Sequence, residues 1–268
     1  MIVIGDRING SLENVRRAIG SRDAGAIARL AAKQAEAGAA YMDINAGMFG
    51  EREAEQLEWL AACAQSGAPL PLSLDSPHPA ALRRALAANR NGKPIVNSIT
   101  GEKKRFDGVL PLVREYGASV IALCMDGASA PRDAGGRVEA AERILEKLVG
   151  AGVALADIYI DPLIMPIAAG ARHAEAALET VRGIRLLHPD IRITCGLSNI
   201  SHGLPARRLV NRVFLAAAMA AGLDSAIMDP LDGELMASAC AAEAMLGRGA
   251  GREALEAFVG RYGGGGSE

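Results

Sequence analysis

Short apolar runs recur along the whole chain and alternate with longer stretches of helical periodicity. The runs lie at 2–4, 40–44, 70–74, 94–99, 119–125, 158–160, 193–197 and 225–228, and they read as eight strands. Between and after them, apolar positions recur every three or four residues at 24–37, 51–64, 79–88, 106–116, 137–149, 174–187, 209–221 and 235–246, which predicts helices. Glycine or proline punctuates nearly every junction.

Eight strand-then-helix units in about 250 residues predict a single-domain (β/α)8 TIM barrel, in which each parallel strand needs a crossover helix and is buried on both faces. An open doubly wound sheet is the alternative. Its nucleotide fingerprints are missing: the first strand leads into Gly5-Asp6-Arg7-Ile8-Asn9-Gly10, which is not G-x-G-x-x-G, and no G-x-x-x-x-G-K-[ST] occurs. The barrel is assigned to residues 1–262, and the glycine-rich 263–268 reads as a flexible tail.

Composition narrows the function. Half of the 268 residues are apolar, enough for one large core, and 29 basic residues nearly balance 31 acidic ones for a formal net charge of -2. That balance suggests neither a nucleic-acid groove nor an anionic membrane surface, and 3% aromatic residues are too few for a base-stacking platform. Cys63, Cys124, Cys195 and Cys240 form no C-x-x-C and have no histidine at a metal-ligand interval, so they read as reduced, mostly buried thiols and no bound metal is expected. Charge appears at Asp6 and Arg7, too early for a signal peptide or a membrane span at the N-terminus. The expected location is the cytoplasm.

Polar residues gather where the strands end, which in a barrel is where the active site forms. The ends read Asp6-Arg7-Ile8-Asn9, Asp43-Ile44-Asn45, Asp75-Ser76, Asn97-Ser98, Asp161-Pro162, Ser198-Asn199 and Asp229. Any one of them serves equally well as a helix cap or turn residue; seven together point to a pocket. Carboxylates and carboxamides with no Ser-His elbow suit a neutral heterocycle that donates several N–H bonds, such as a pterin or a purine. His78, His173 and His188 fall at helix ends. His202, three residues past Asn199, is the one histidine near the ring.

Beyond these readings, the chain resembles the methyltetrahydrofolate:corrinoid protein methyltransferases, pterin-binding barrels related to the pterin domain of cobalamin-dependent methionine synthase and, more distantly, to dihydropteroate synthase. The likeness runs through nearly the whole chain and rests on Ile4 to Gly10, Leu74-Asp75-Ser76, Val96-Asn97-Ser98, Tyr159 to Leu163, Gly196-Leu197-Ser198-Asn199 and Asn211 to Leu215. It implies that Asp75, Asn97 and Asp161 accept from the pyrimidine edge of the pterin, that Asn199 lies near N5, and that Gly196, Ser198 and His202 belong to the same substrate site. Arg207 would pair with a carboxylate of the p-aminobenzoyl-glutamate tail, although Arg208 stands beside it.

The resemblance also implies tetrahydrofolate or its 5-methyl form as substrate, and a corrinoid carried by a separate protein, because no D-x-H-x-x-G cobalamin signature surrounds any histidine. Two alternatives stay open: condensation of the dihydropteroate synthase kind, and a non-catalytic folate-binding barrel. Against the first, Asp161-Pro162-Leu163-Ile164-Met165-Pro166 is bulky where that enzyme needs a glycine-rich loop, and Met228-Asp229-Pro230 is acidic where it needs a basic pair. Excess Ala and Met on the last two helices suggests a homodimer.

Overall fold

Eight parallel strands follow one another in chain order around one sheet, with the helices outside it. In the computed structural model, residues 1–127 and 130–248 are described, with 253, 255–257 and 260 beyond them; the tail assigned to 263–268 lies outside the described residues. The strands are β1 (Ile2–Asn9), β2 (Tyr41–Asn45), β3 (Leu72–Asp75), β4 (Ile95–Ile99), β5 (Ser119–Leu123), β6 (Ile158–Asp161), β7 (Arg192–Ile193) and β8 (Ser225–Met228). The helices are α1 (Glu13–Gly20), α2 (Ala24–Glu36), α3 (Glu53–Gly67), α4 (Pro79–Ala88), α5 (Lys103–Glu115), α6 (Ala134–Gly150), α7 (His173–Leu187), α8 (Arg207–Ala221) and α9 (Gly233–Met245).

The first and last strands pair, and β7 meets β8 through a single bridge between Gly196 and Ile227 and the Ile227 N–H bond to Cys195 O at 2.8 Å. That closure makes the (β/α)8 barrel. Two cores result. Ile4, Ile95, Ile121 and Tyr159 fill the barrel's interior, while a larger apolar layer lies between the sheet and the helices. Asp23, Asp133 and Asp232 start α2, α6 and α9 by accepting from backbone N–H groups three residues on, which satisfies donors that a helix start leaves unpaired.

Three local features depart from the hydrophobic pattern. β1 continues to Asn9, past its apolar run, because the register shifts between Gly5 and Ile8 and lets Asp6 and Arg7 enter the strand. A Cβ on Gly5 would lie 2.4 Å from Gln34 Oε1, the atom that accepts from the Arg7 N–H at 3.0 Å. Only glycine permits that approach. The helix α1 has no side-chain cap at Leu12 to announce it. The seventh run, read as a strand over 193–197, leaves the sheet after Ile193, and 197–201 coils into a 3-10 turn.

Candidate active site

Register alone lines up four polar residues across the first four strands, three of them at the strands' carboxyl ends and Asn97 in the middle of β4. Asn9 pairs with Asn45, Asn45 with Asp75, and Asp75 with Asn97, so one polar rung crosses β1 to β4. Asn45 Nδ2 donates to Asp75 Oδ2 across 2.7 Å. Behind the rung, Asp43 is buried and accepts from Ser73 Oγ at 2.6 Å and from Asn97 Nδ2 at 3.1 Å. Of these, Asp75 and Asn97 are the predicted substrate residues. Asp43 and Asn45 are the partners that hold them, and strand-end polarity marked both without revealing whom they hold.

Burial dominates the electrostatics. The Asp43 carboxyl is pushed well above the usual range by burial and by the neighbouring Asp75 charge, and Asp75 is itself raised by burial against the Asn45 hydrogen bond. Asp6, which sequence reasoning placed in the ring but gave no role, is raised to about 6 by burial and by Asp229. Several perturbed carboxyls gathered at one end of the barrel mark it as a candidate functional site.

Across the mouth, Asp161 ends β6. Burial raises it to about 6, opposed by the backbone N–H groups of Leu163 and Gly196 and by Arg137. The Gly196 contact joins this carboxylate to the turn that carries Asn199. Asn199 is exposed, and its carboxamide makes no hydrogen bond to any described residue. A Cβ on Gly196 would come within 3.1 Å of Asn199 Nδ2, so the glycine leaves the amide its room.

The remaining predicted residues flank that turn. Arg207, at the start of α8, donates from Nε to Ser201 Oγ at 3.2 Å and from Nη2 to Ser198 O at 3.0 Å. It therefore braces the turn that presents Asn199. A cleft of about 550 Å3 opens beside it, lined by Ser198, His202, Arg207 and Arg208 together with Asp6 and Asp229. This cleft takes in Ser198, His202 and Arg207 but not Asp75, Asn97, Asp161 or Asn199, so the predicted residues fall into a mouth and an adjoining groove.

No group of His, Cys, Asp or Glu among the described residues could hold a metal. The four cysteines are unpaired: Cys63, Cys124 and Cys195 are buried and Cys240 is half-buried. Among the described residues no helix is long and apolar enough to cross a membrane.

The carboxyl-end mouth of this closed parallel barrel is lined by buried and half-buried carboxylates and half-buried carboxamides, and comparison with known proteins identifies the family. Over residues 6–229 the chain matches the family described as pterin binding enzyme, and it belongs to that family. It is 37% identical over 250 residues to a methylcorrinoid:tetrahydrofolate methyltransferase of Eubacterium limosum, covering 92% of each chain. It is 36% identical over 241 residues to a methionine synthase of Mycobacterium tuberculosis, a match that spans 85% of this chain and 20% of that one. With a near full-length methyltransferase relative, the chain is an enzyme of the transferase class.

Among solved structures, a dihydropteroate synthase of Yersinia pestis superposes with a TM-score of 0.65 at 17% identity, covering 92% of this chain and 94% of that one. That of Xanthomonas albilineans gives 0.66 at 21%, covering 92% of each. Those likenesses show the barrel and nothing finer.

Proposed function

We propose that the protein moves a methyl group between N5 of tetrahydrofolate and the cobalt of a corrinoid carried by a separate protein. The observation that carries this reading is the near full-length similarity to a methylcorrinoid:tetrahydrofolate methyltransferase, joined to a mouth that offers the acceptors a pterin edge needs.

In this reading Asp75, Asn97 and Asp161 accept from the pterin's amino and ring N–H groups. The ionised form of each carboxylate is the one that accepts strongly, so bringing in the donors opposes the burial that raises them. Asn199 stands at N5 with a carboxamide that no protein group has claimed. An amide both donates and accepts: Nδ2–H serves the N5 lone pair as a methyl leaves, and Oδ1 serves N5–H before one arrives. It does so without ionising. Cleaving the N5–methyl bond requires a proton or a strong hydrogen bond at nitrogen, since an unsupported amide-like anion is a poor leaving group. The corrinoid, as the partner's cargo, supplies a cobalt centre nucleophilic enough to take the methyl group, and this chain orients the folate toward it.

Arg207 and the adjoining groove would take the p-aminobenzoyl-glutamate tail, with Ser198 and His202 along the groove's wall. The reading also places the protein in the reducing cytoplasm, in keeping with four free thiols. Leu209 and Val213, one turn apart on α8, are exposed, and in this reading a second copy covers them in a homodimer.

The test is transfer of a labelled methyl group between a methylated corrinoid protein and tetrahydrofolate. Label must appear on folate only when this chain is present. Tight folate binding with no label moved would instead mark a storage barrel.

A further inference from the structure

Among the described residues, Arg137 of α6 is the largest side chain that the fold buries, and no carboxylate there accepts a hydrogen bond from it. Its Nε donates to Pro131 O at 3.1 Å, and its Nη1 donates to Pro162 O at 3.3 Å and Leu163 O at 3.1 Å. Burying a guanidinium against neutral carbonyls is costly compared with leaving it in water, so a helix residue kept in this position calls for a reason.

The reason lies one residue away. Leu163 has φ +60, a left-handed conformation that a bulky side chain rarely adopts. In that conformation its N–H donates to Asp161 Oδ1 at 2.7 Å while its carbonyl accepts from Arg137. One strained residue is thus gripped from both ends, by the candidate pterin carboxylate at its N–H and by the buried guanidinium at its carbonyl.

We propose that Arg137 is a positioning residue for pterin recognition: it clamps Pro162 and Leu163 in the conformation that aims the Asp161 carboxylate into the mouth. The inference rests on the reading of Asp161 as an acceptor from the pterin edge. Charge reinforces geometry. The titratable groups against Asp161 are Arg137 from α6 and the thiols of Cys124 and Cys195, which burial raises well above their ordinary value and so keeps neutral. Arg137 is the cation that favours the ionised carboxylate, and the ionised carboxylate is the form that accepts two N–H bonds.

Two variants of the full chain separate the clamp from the charge. Arg137→Met keeps length and loses both; Arg137→Lys keeps charge and loses the fork. Tetrahydrofolate affinity is followed by calorimetry from pH 5 to 8.5, and the Asp161 carboxyl by carbon NMR without ligand, assigned with Asp161→Asn. Circular dichroism confirms folding.

The wild type loses affinity as pH falls through about 6, where Asp161 takes up its proton. In Arg137→Met both midpoints rise by about one unit, a change in ionisation that by itself lowers affinity about twofold at pH 7 and about ninefold at pH 5. Arg137→Lys keeps the wild-type midpoint but binds several-fold more weakly at every pH. An unmoved Asp161 midpoint in Arg137→Met, or wild-type affinity in Arg137→Lys, overturns the proposal. Should the wild type bind no folate, the proposed function fails, and the ligand-free NMR titration still decides whether Arg137 governs Asp161. Should Arg137→Met not fold, the Lys variant decides the clamp by itself.

Discussion

Asn97 reaches toward the barrel mouth with its amide already committed on one side, Nδ2 donating to Asp43 Oδ1 at 3.1 Å. That bond fixes which end of the carboxamide is tied to the protein and which is left for substrate. Because Ser73 Oγ shares the same carboxylate oxygen, Asp43→Ala strands two polar groups at once in a buried place. The expected cost is about 1–3 kcal/mol of stability, read as a lower melting temperature, together with weaker folate binding because Asn97 is free to turn. Asp43→Asn keeps the shape and is milder on both counts. Equal melting temperatures and equal affinities for Asp43→Ala and wild type would contradict this.

Asp161 predicts a trade between stability and binding. Its folded pKa is about 6 against an ordinary 3.8, so between those values the folded chain holds a proton that the unfolded chain has released. Stability therefore declines as pH rises from about 4 to about 6 and stays lower above that, and Asp6, raised to about 6, adds to the same slope. Asp161→Asn has no charge to bury. Its ligand-free form should melt higher than wild type at pH 7.5 and converge with it near pH 4, while binding folate far more weakly. A variant that is less stable at pH 7.5 would reverse the sign of the argument.

Arg207 predicts a dependence on ligand length. If its guanidinium meets the folate tail, Arg207→Met weakens methyltetrahydrofolate by about tenfold more than it weakens a tail-free pterin. Loss of the brace on Ser198 and Ser201 lowers affinity for both ligands by a common smaller factor. Equal losses for the two ligands, measured by calorimetry, would confine Arg207 to bracing.

Gly196 predicts a rate effect without a matching affinity effect. A methyl group there crowds Asn199 Nδ2 at 3.1 Å and pushes the amide off its position. Gly196→Ala should slow methyl transfer by roughly tenfold or more, since small misplacements of a reacting geometry are costly, while folate affinity stays within about threefold. An unchanged transfer rate would mean that the amide yields without consequence.

Much of this was legible in the chain. Each of the eight runs corresponds to a strand, because parallel strands buried on both faces read as unbroken apolar segments. Asp75 and Asp161 end β3 and β6 as read, whereas Asn97 lies in the middle of β4, level with Asp75 across the sheet. The seventh run misled: of its apolar residues only Ile193 lies in β7, and Leu197 is buried in a turn that packs on the barrel instead of extending it, which burial alone does not distinguish from a strand. Arg137 was invisible for another reason. Its partners are carbonyl oxygens, which every residue carries, and Leu163's left-handed backbone has no signature in a leucine.

The most direct measurement is single-turnover methyl transfer from methyltetrahydrofolate to a Co(I) corrinoid protein, followed by loss of the Co(I) absorbance, with folate affinity measured in parallel. For the wild type the signal should decay only when chain, methyl donor and corrinoid protein are all present. For Asn199→Ala the rate should fall by about a hundredfold while affinity falls by only a few-fold, as removal of a donor that acts mainly in the transition state requires. No decay with the wild type, or an Asn199→Ala variant that transfers at the wild-type rate and loses only affinity, would contradict the account.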